Sequence, residues 1–208
     1  MRIPMLAAAA LVLAIAGCTP DADHHEHADM SMHGAGDHAK MVEQKHENMW
    51  ATVKDAVAVI YPTKGNSVSG TIHFTDVVAY GAEGVHIWGT VTGLEPNSTH
   101  AIHIHEFGDQ TSADGMSAGG HFNPEKHQHG APGSGEHHAG DLGNIKADGA
   151  GNATIDLTVK DISVAGMKDP VIGRGVVIHA KADDFGQPVG NAGGRIGVGV
   201  IGVAKPLQ

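Results

Sequence analysis

From about residue 51 onward, short apolar or alternating runs recur between breaks of Gly, Pro, Asn and Asp. They span 56–61, 67–74, 85–92, 100–106, 153–159, 175–180 and 195–203. In the second run Val68, Gly70, Ile72 and Phe74 alternate with Ser67, Ser69, Thr71 and His73. In the fifth, Ile155, Leu157 and Val159 alternate with Thr154, Asp156 and Thr158. A period of two turns one set of side chains to a core and the other to water, which is the signature of half-buried antiparallel strands. Seven or eight such strands with turn signals between them predict an all-β Greek-key barrel or sandwich. No helical period extends over a long stretch. One segment, 108–140, breaks the rhythm: it has no strand pattern, many glycines and five histidines. A loop of that length in a compact domain is usually functional or disordered, and its contents decide which.

The first fifty residues follow different patterns. Residues 1–17 read as a signal peptide: Arg2 supplies the positive start, 5–16 is an apolar run, and small Ala16 and Gly17 follow. The run is short for a bilayer span. Ile15-Ala16-Gly17-Cys18 resembles the bacterial lipobox, which implies lipidation of Cys18, the only cysteine of the chain. Several acyl chains would anchor the protein stably. The expected address is a bacterial cell envelope, on the periplasmic or extracytoplasmic face, and Thr19 in place of Asp suits outer-membrane sorting. Residues 18–49 form a tether carrying His24, His25, His27, His33, His38 and His46, with Met30, Met32 and Met41 between them. It has little to bury, so a flexible segment is expected. Imidazole and thioether together suit copper in both oxidation states. Two readings stand: a metal-gathering arm, or a polar spacer of biased composition.

Composition narrows the function. Aromatics make up 4% of 208 residues and Gly contributes 30, so the core must come from Val, Ile, Leu and Ala. The net charge is -10 with no basic run, which excludes a nucleic-acid partner held through phosphate contacts. Seventeen histidines ask for a metal explanation, because imidazole is the commonest metal-binding side chain near neutral pH.

The candidate ligands lie in the strand-rich part. His103 and His105 flank Ile104, so on a strand both imidazoles project to one side. Such a pair can also simply sit on a sheet surface. His121, His129, His138 and Asp141 lie in the long loop or at its end, and three imidazoles with one carboxylate fill a tetrahedral zinc site. His179 ends an apolar strand and is either a core histidine or a ligand.

Taken in order, these segments resemble the copper/zinc superoxide dismutase family over residues 50–208. The likeness rests on His103-Ile-His105-Glu106-Phe107-Gly108-Asp109, His121-Phe-Asn-Pro124, His129-Gly-Ala-Pro132, His138-Ala-Gly-Asp141-Leu-Gly-Asn144, His179-Ala-Lys-Ala-Asp183-Asp184 and Gly190-Asn-Ala-Gly-Gly-Arg195. The resemblance implies an eight-stranded Greek-key β-barrel with a long metal-binding loop. It implies copper on His103, His105, His121 and His179, and zinc on His121, His129, His138 and Asp141, with His121 bridging the two. Asp183 would link His103 to His129 as an outer carboxylate. The implied reaction is dismutation of superoxide to dioxygen and hydrogen peroxide, protecting the envelope from oxidative damage. Arg195 would attract the anion and His121 would pass a proton. The expected partners are superoxide and, through Cys18, the membrane; a homodimer and a copper donor are further candidates. His127 and His137 fall off the family's positions and are expected to face solvent.

Two departures matter. The family's usual disulfide would join positions 115 and 198, which are Gly and Val here. Bound zinc is expected to take over much of the loop ordering. The segment between Asp183 and Arg195 is short, so steering would fall to other residues, with Lys126 and Lys181 as candidates. Two other classes compete with the enzyme: a copper store on the same fold, and an envelope lipoprotein that buffers zinc. The intact copper set and Arg195 favour the enzyme.

Overall fold

The protein is described by a computed structural model that covers residues 52–81 and 83–206. The expected leader, Cys18 and the His/Met-rich tether lie outside the described residues. Eight strands form: β1 (Asp55–Pro62), β2 (Ser69–Asp76), β3 (Val85–Thr92), β4 (Thr99–His105), β5 (Asp141–Lys146), β6 (Ala153–Val159), β7 (Gly175–His179) and β8 (Arg195–Val203). Every pairing is antiparallel, in the order β5-β4-β7-β8-β1-β2-β3-β6. The two ends of the sheet, β5 and β6, are successive strands that approach one another, so the barrel nearly closes. Around that ring β4, β5 and β6 follow in sequence and β3 returns beside β6, which is a Greek key. Among the described residues helix is confined to the 3-10 turns Val77–Tyr80 and Met116–Ala118.

The alternation read from the sequence sets the packing. Val68, Ile72 and Phe74 are buried while Ser67, Ser69 and Thr71 face solvent. Ile60, Ile72, Phe74, Ile87, Ile102, Ile104, Ile155, Ile178 and Ile201 are fully buried in one core. Branched aliphatics fill this interior with little aromatic help, as the composition required.

β4 and β7 are buried on both faces, and that is what creates the site. Ile102 and Ile104 of β4 and Val176 and Ile178 of β7 point into the barrel. The opposite face of these strands is covered by the long segment after β4. Beneath it Ala118, Val177 and Val198 form a small apolar cluster of their own. An outer strand face that would normally be wet is thereby closed off, and His103, His105 and His179 lie in the closed space.

Candidate metal centre

Four chain segments bring the candidate ligands together. β4 supplies His103 and His105. β7 ends at His179, which is opposite Arg195 in the pairing with β8. The covering loop returns to β4 at His121, where an isolated bridge joins His121 to His105. β5 then starts at Asp141, opposite His103. The result is two groups whose ligand atoms converge within 4.8 Å: His103, His105, His121 and His179, and His121, His129, His138 and Asp141. His121 belongs to both. A third group, His103, His129 and Asp183, ties them from behind.

For four of the rings, hydrogen bonds fix which nitrogen is free. The Asp183 carboxylate accepts from His103 Nε2 (2.8 Å) and from His129 Nε2 (2.9 Å). Both of those nitrogens therefore carry the proton, and each Nδ1 keeps its lone pair. Gly119 O accepts from His105 Nδ1 (3.0 Å) and Gly193 O from His179 Nδ1 (3.3 Å), which frees the Nε2 of each. Such backbone and carboxylate partners set tautomer and ring orientation in metal sites.

The free atoms then face one another without any proton to share. His103 Nδ1 and His129 Nδ1 are buried with no hydrogen-bond partner. His129 Nδ1 lies 2.9 Å from Asp141 Oδ2, outside hydrogen-bond alignment. The Nε2 atoms of His105 and His179 are 3.3 Å apart. The Nδ1 atoms of His121 and His138 are also 3.3 Å apart, and both face Asp141 Oδ1, at 2.9 Å and 3.2 Å. Ligands on a tetrahedral ion with bonds of ~2.0–2.1 Å are separated by roughly 3.3 Å. An unpaired buried acceptor costs about 1–3 kcal/mol, and a cation at each focus removes that cost. The residues present fit copper and zinc.

Burial gives these groups their charge states. It pushes His105 down to about 2 and His179 down to about 3, with His121 and Arg195 nearby adding to the effect. The rings are neutral and ready to bind. Burial alone would raise Asp141, but bonds from His121, His138 N and Gly130 N outweigh it and hold the carboxyl at about 2. Asp183 is likewise ionised far below the usual range: burial opposes this, and the two imidazoles beside it prevail.

Arg195 is half-buried. Its Nη1 donates to Gly115 O (2.6 Å) and its Nη2 to Gly119 O (2.5 Å). Gly119 O thus holds both Arg195 and His105 Nδ1. The guanidinium is fixed beside the all-histidine group.

Several positioning residues carried little or no sequence signal. Asn144 holds the Asp183 backbone from both sides, with Nδ2 donating to Asp183 O (2.9 Å) and Oδ1 accepting from Asp183 N (2.7 Å). Gln187 does the same for His129: Oε1 accepts from His129 N (3.2 Å) and Nε2 donates to His129 O (2.7 Å). Asn144 falls in a quoted motif, whereas nothing in the sequence singles out Gln187. His127 is exposed as expected. His137 is not: its side chain is 10% exposed, with Nε2 3.4 Å from Asp161 Oδ2. The loop Asp161 belongs to folds over it, a contact invisible to sequence spacing.

Comparison with known proteins agrees with this geometry. The profile of the copper/zinc superoxide dismutase (SODC) family matches residues 68–201. The crystal structure of the clock protein EA4 is similar, with 41% identity and a TM-score of 0.66, over 74% of this chain and 96% of that one. On the extent of the family match, this chain belongs to the copper/zinc superoxide dismutases, oxidoreductases that use both metals to dismutate superoxide.

Proposed function

We propose that the chain converts superoxide to dioxygen and hydrogen peroxide with copper held by His103, His105, His121 and His179 and zinc held by His121, His129, His138 and Asp141. The observation that carries this reading is the membership of His121 in both donor groups. Its Nδ1 faces Asp141 Oδ1 (2.9 Å) and His138 Nδ1 (3.3 Å). That leaves Nε2, on the far edge of the ring, for the other group, so one imidazole serves as the bridge.

When bound, copper supplies the one-electron exchange that superoxide needs, while zinc, which has no redox chemistry, adds fixed positive charge. The chain's own residues do the rest. His121 carries a proton at Nε2 in one half of the cycle and passes it to the product peroxide in the other; water gives the second proton. Arg195 draws the anion in. The chain carries a net charge of -10, so the local field at the mouth, set by this fixed guanidinium, governs encounter. Asp183 orients one ring of each group and couples their positions.

The leader-like residues 1–17, the lipobox-like segment ending at Cys18 and the polar segment after it support a placement on the outer side of a bacterial envelope membrane, where the enzyme would guard envelope components from superoxide. The His/Met content of the tether supports a role in gathering copper for the barrel.

The test is superoxide decay followed by pulse radiolysis on the copper- and zinc-loaded protein. Wild type is expected to be active. Arg195→Gln should be slower by about tenfold or more at low ionic strength and should show a weaker salt dependence. A rate unchanged in Arg195→Gln removes that role. Copper bound at full stoichiometry with no superoxide decay favours the copper store.

A further inference from the structure

A second polar cavity, of about 380 Å³, opens on the far side of the metal-bearing loop. It lies between that loop and the connection from β6 to β7. Glu125, His127 and His137 line it from one side, and Asp161, Lys168 and Asp169 from the other. The cations of the cavity are turned chiefly to Asp161, although the Lys168 charge also acts on Glu125 and Asp169. Lys168 turns its Nζ to Asp161 Oδ1 (3.8 Å), and His137 Nε2 faces Asp161 Oδ2 (3.4 Å).

Asp169 is different. It is 9% exposed, and its Oδ2 is buried without a hydrogen-bond partner. Its carboxyl interacts with that of Glu125, which lines the same cavity. Asp169 also holds a left-handed backbone, with φ 44°. An unpaired buried carboxylate oxygen beside a second carboxylate is costly unless positive charge sits with it. Burial and the adjacent Glu125 push Asp169 up to about 6, so ionising both members of the pair is costly without positive charge beside them.

We propose that Glu125 and Asp169 form a third cation site, for a hard divalent ion of the calcium and magnesium class, which clamps the metal-bearing loop to the β6–β7 connection. The donor set selects the class. Among the described residues no third His, Asp or Glu donor converges with these two. Zinc takes three or four protein ligands, whereas a hard cation prefers oxygen donors, and Mg²⁺ in particular is held by one or two carboxylates while keeping several waters. The cavity has room for that water. The site lies on residues separate from the copper and zinc groups, so it stands or falls independently of them.

The experiment is calorimetric titration of Ca²⁺, and separately Mg²⁺, into protein already loaded with copper and zinc. One equivalent per chain is expected for at least one of the two ions. Asp169→Asn and Glu125→Gln should each weaken binding tenfold or more, and Asn tolerates the left-handed backbone at 169. Hydrogen exchange across residues 125–138 should slow on adding the ion in wild type and stay unchanged in Glu125→Gln. Three results would overturn the proposal. One is no saturable binding. Another is binding equal in wild type and both variants. The third is that both variants are more stable than wild type while the ion adds nothing, the mark of a carboxyl pair that shares a proton only.

Discussion

Asp183 joins one imidazole of each metal group, and its own position depends on a residue with no side chain. Gly190 has φ 72°, and a Cβ there would lie 1.9 Å from Asp183 Oδ1 and 2.7 Å from His129 Nε2. Gly190→Ala must therefore displace the carboxylate even if the barrel folds. Loss of an outer partner of a metal-bound histidine typically lowers metal affinity about 10–100-fold. We expect Gly190→Ala to weaken both copper and zinc by at least the lower figure, read by chelator competition with circular dichroism as the folding control. Unchanged affinities would show that Asp183 is not a positioning group. At this scale the sequence exposes the candidate ligands well, because imidazoles on alternate strand positions and a dense His loop carry their chemistry in their identity. It hides their supports. Asn144 and Gln187 reach Asp183 and His129 across 39 and 58 residues, and no local pattern encodes such contacts.

Seven of the eight strands are legible as apolar or alternating runs. The exception is β5, with the sequence Asp-Leu-Gly-Asn-Ile-Lys, which reads as turn chemistry. It becomes a strand because β4 pairs with it and because Gly143 takes φ 82°, where a larger residue would be strained. A tertiary partner overrides local propensity there. The covering loop is the other element whose restraint is not written locally. The two positions where the family's disulfide would fall are adjacent in space: a Cβ on Gly115 would lie 2.7 Å from Val198 Cγ2. Hydrogen bonds take the place of the covalent tie. Gln110 Nε2 donates to Val198 O (2.6 Å), and Arg195 Nη1 donates to Gly115 O. Gly115→Cys with Val198→Cys should close a disulfide over a large loop, adding about 4 kcal/mol less about 1–2 kcal/mol for a side chain in the left-handed region at 115. A net gain of roughly 2–3 kcal/mol in chemical denaturation is the expected result. A double variant that stays reduced in air, or that loses stability when oxidised, would show that the loop's anchor points do not have the geometry described.

The whole chain joins a barrel to a front end of different character. The barrel makes its interior from branched aliphatics and turns one outer face into a dry histidine cluster, while residues 1–49 carry the segments proposed as address, anchor and tether. Cys18 is the testable part of that front end. In a bacterial host fed an alkyne-bearing fatty acid, the full chain should take up label and partition with membranes. Cys18→Ala should lose the label and appear in the soluble fraction with its superoxide decay intact. A wild-type chain that stays unlabelled would remove the anchor and with it the proposed placement on the envelope.

The central claim is that two metals lie side by side with His121 between them. Anomalous difference maps from crystals of the loaded protein, collected on either side of the copper and zinc edges, address it directly. A copper peak is expected among His103, His105, His121 and His179, and a zinc peak among His121, His129, His138 and Asp141, with the His121 ring touching both. Copper found away from His121, or both groups claimed by a single ion, would contradict it.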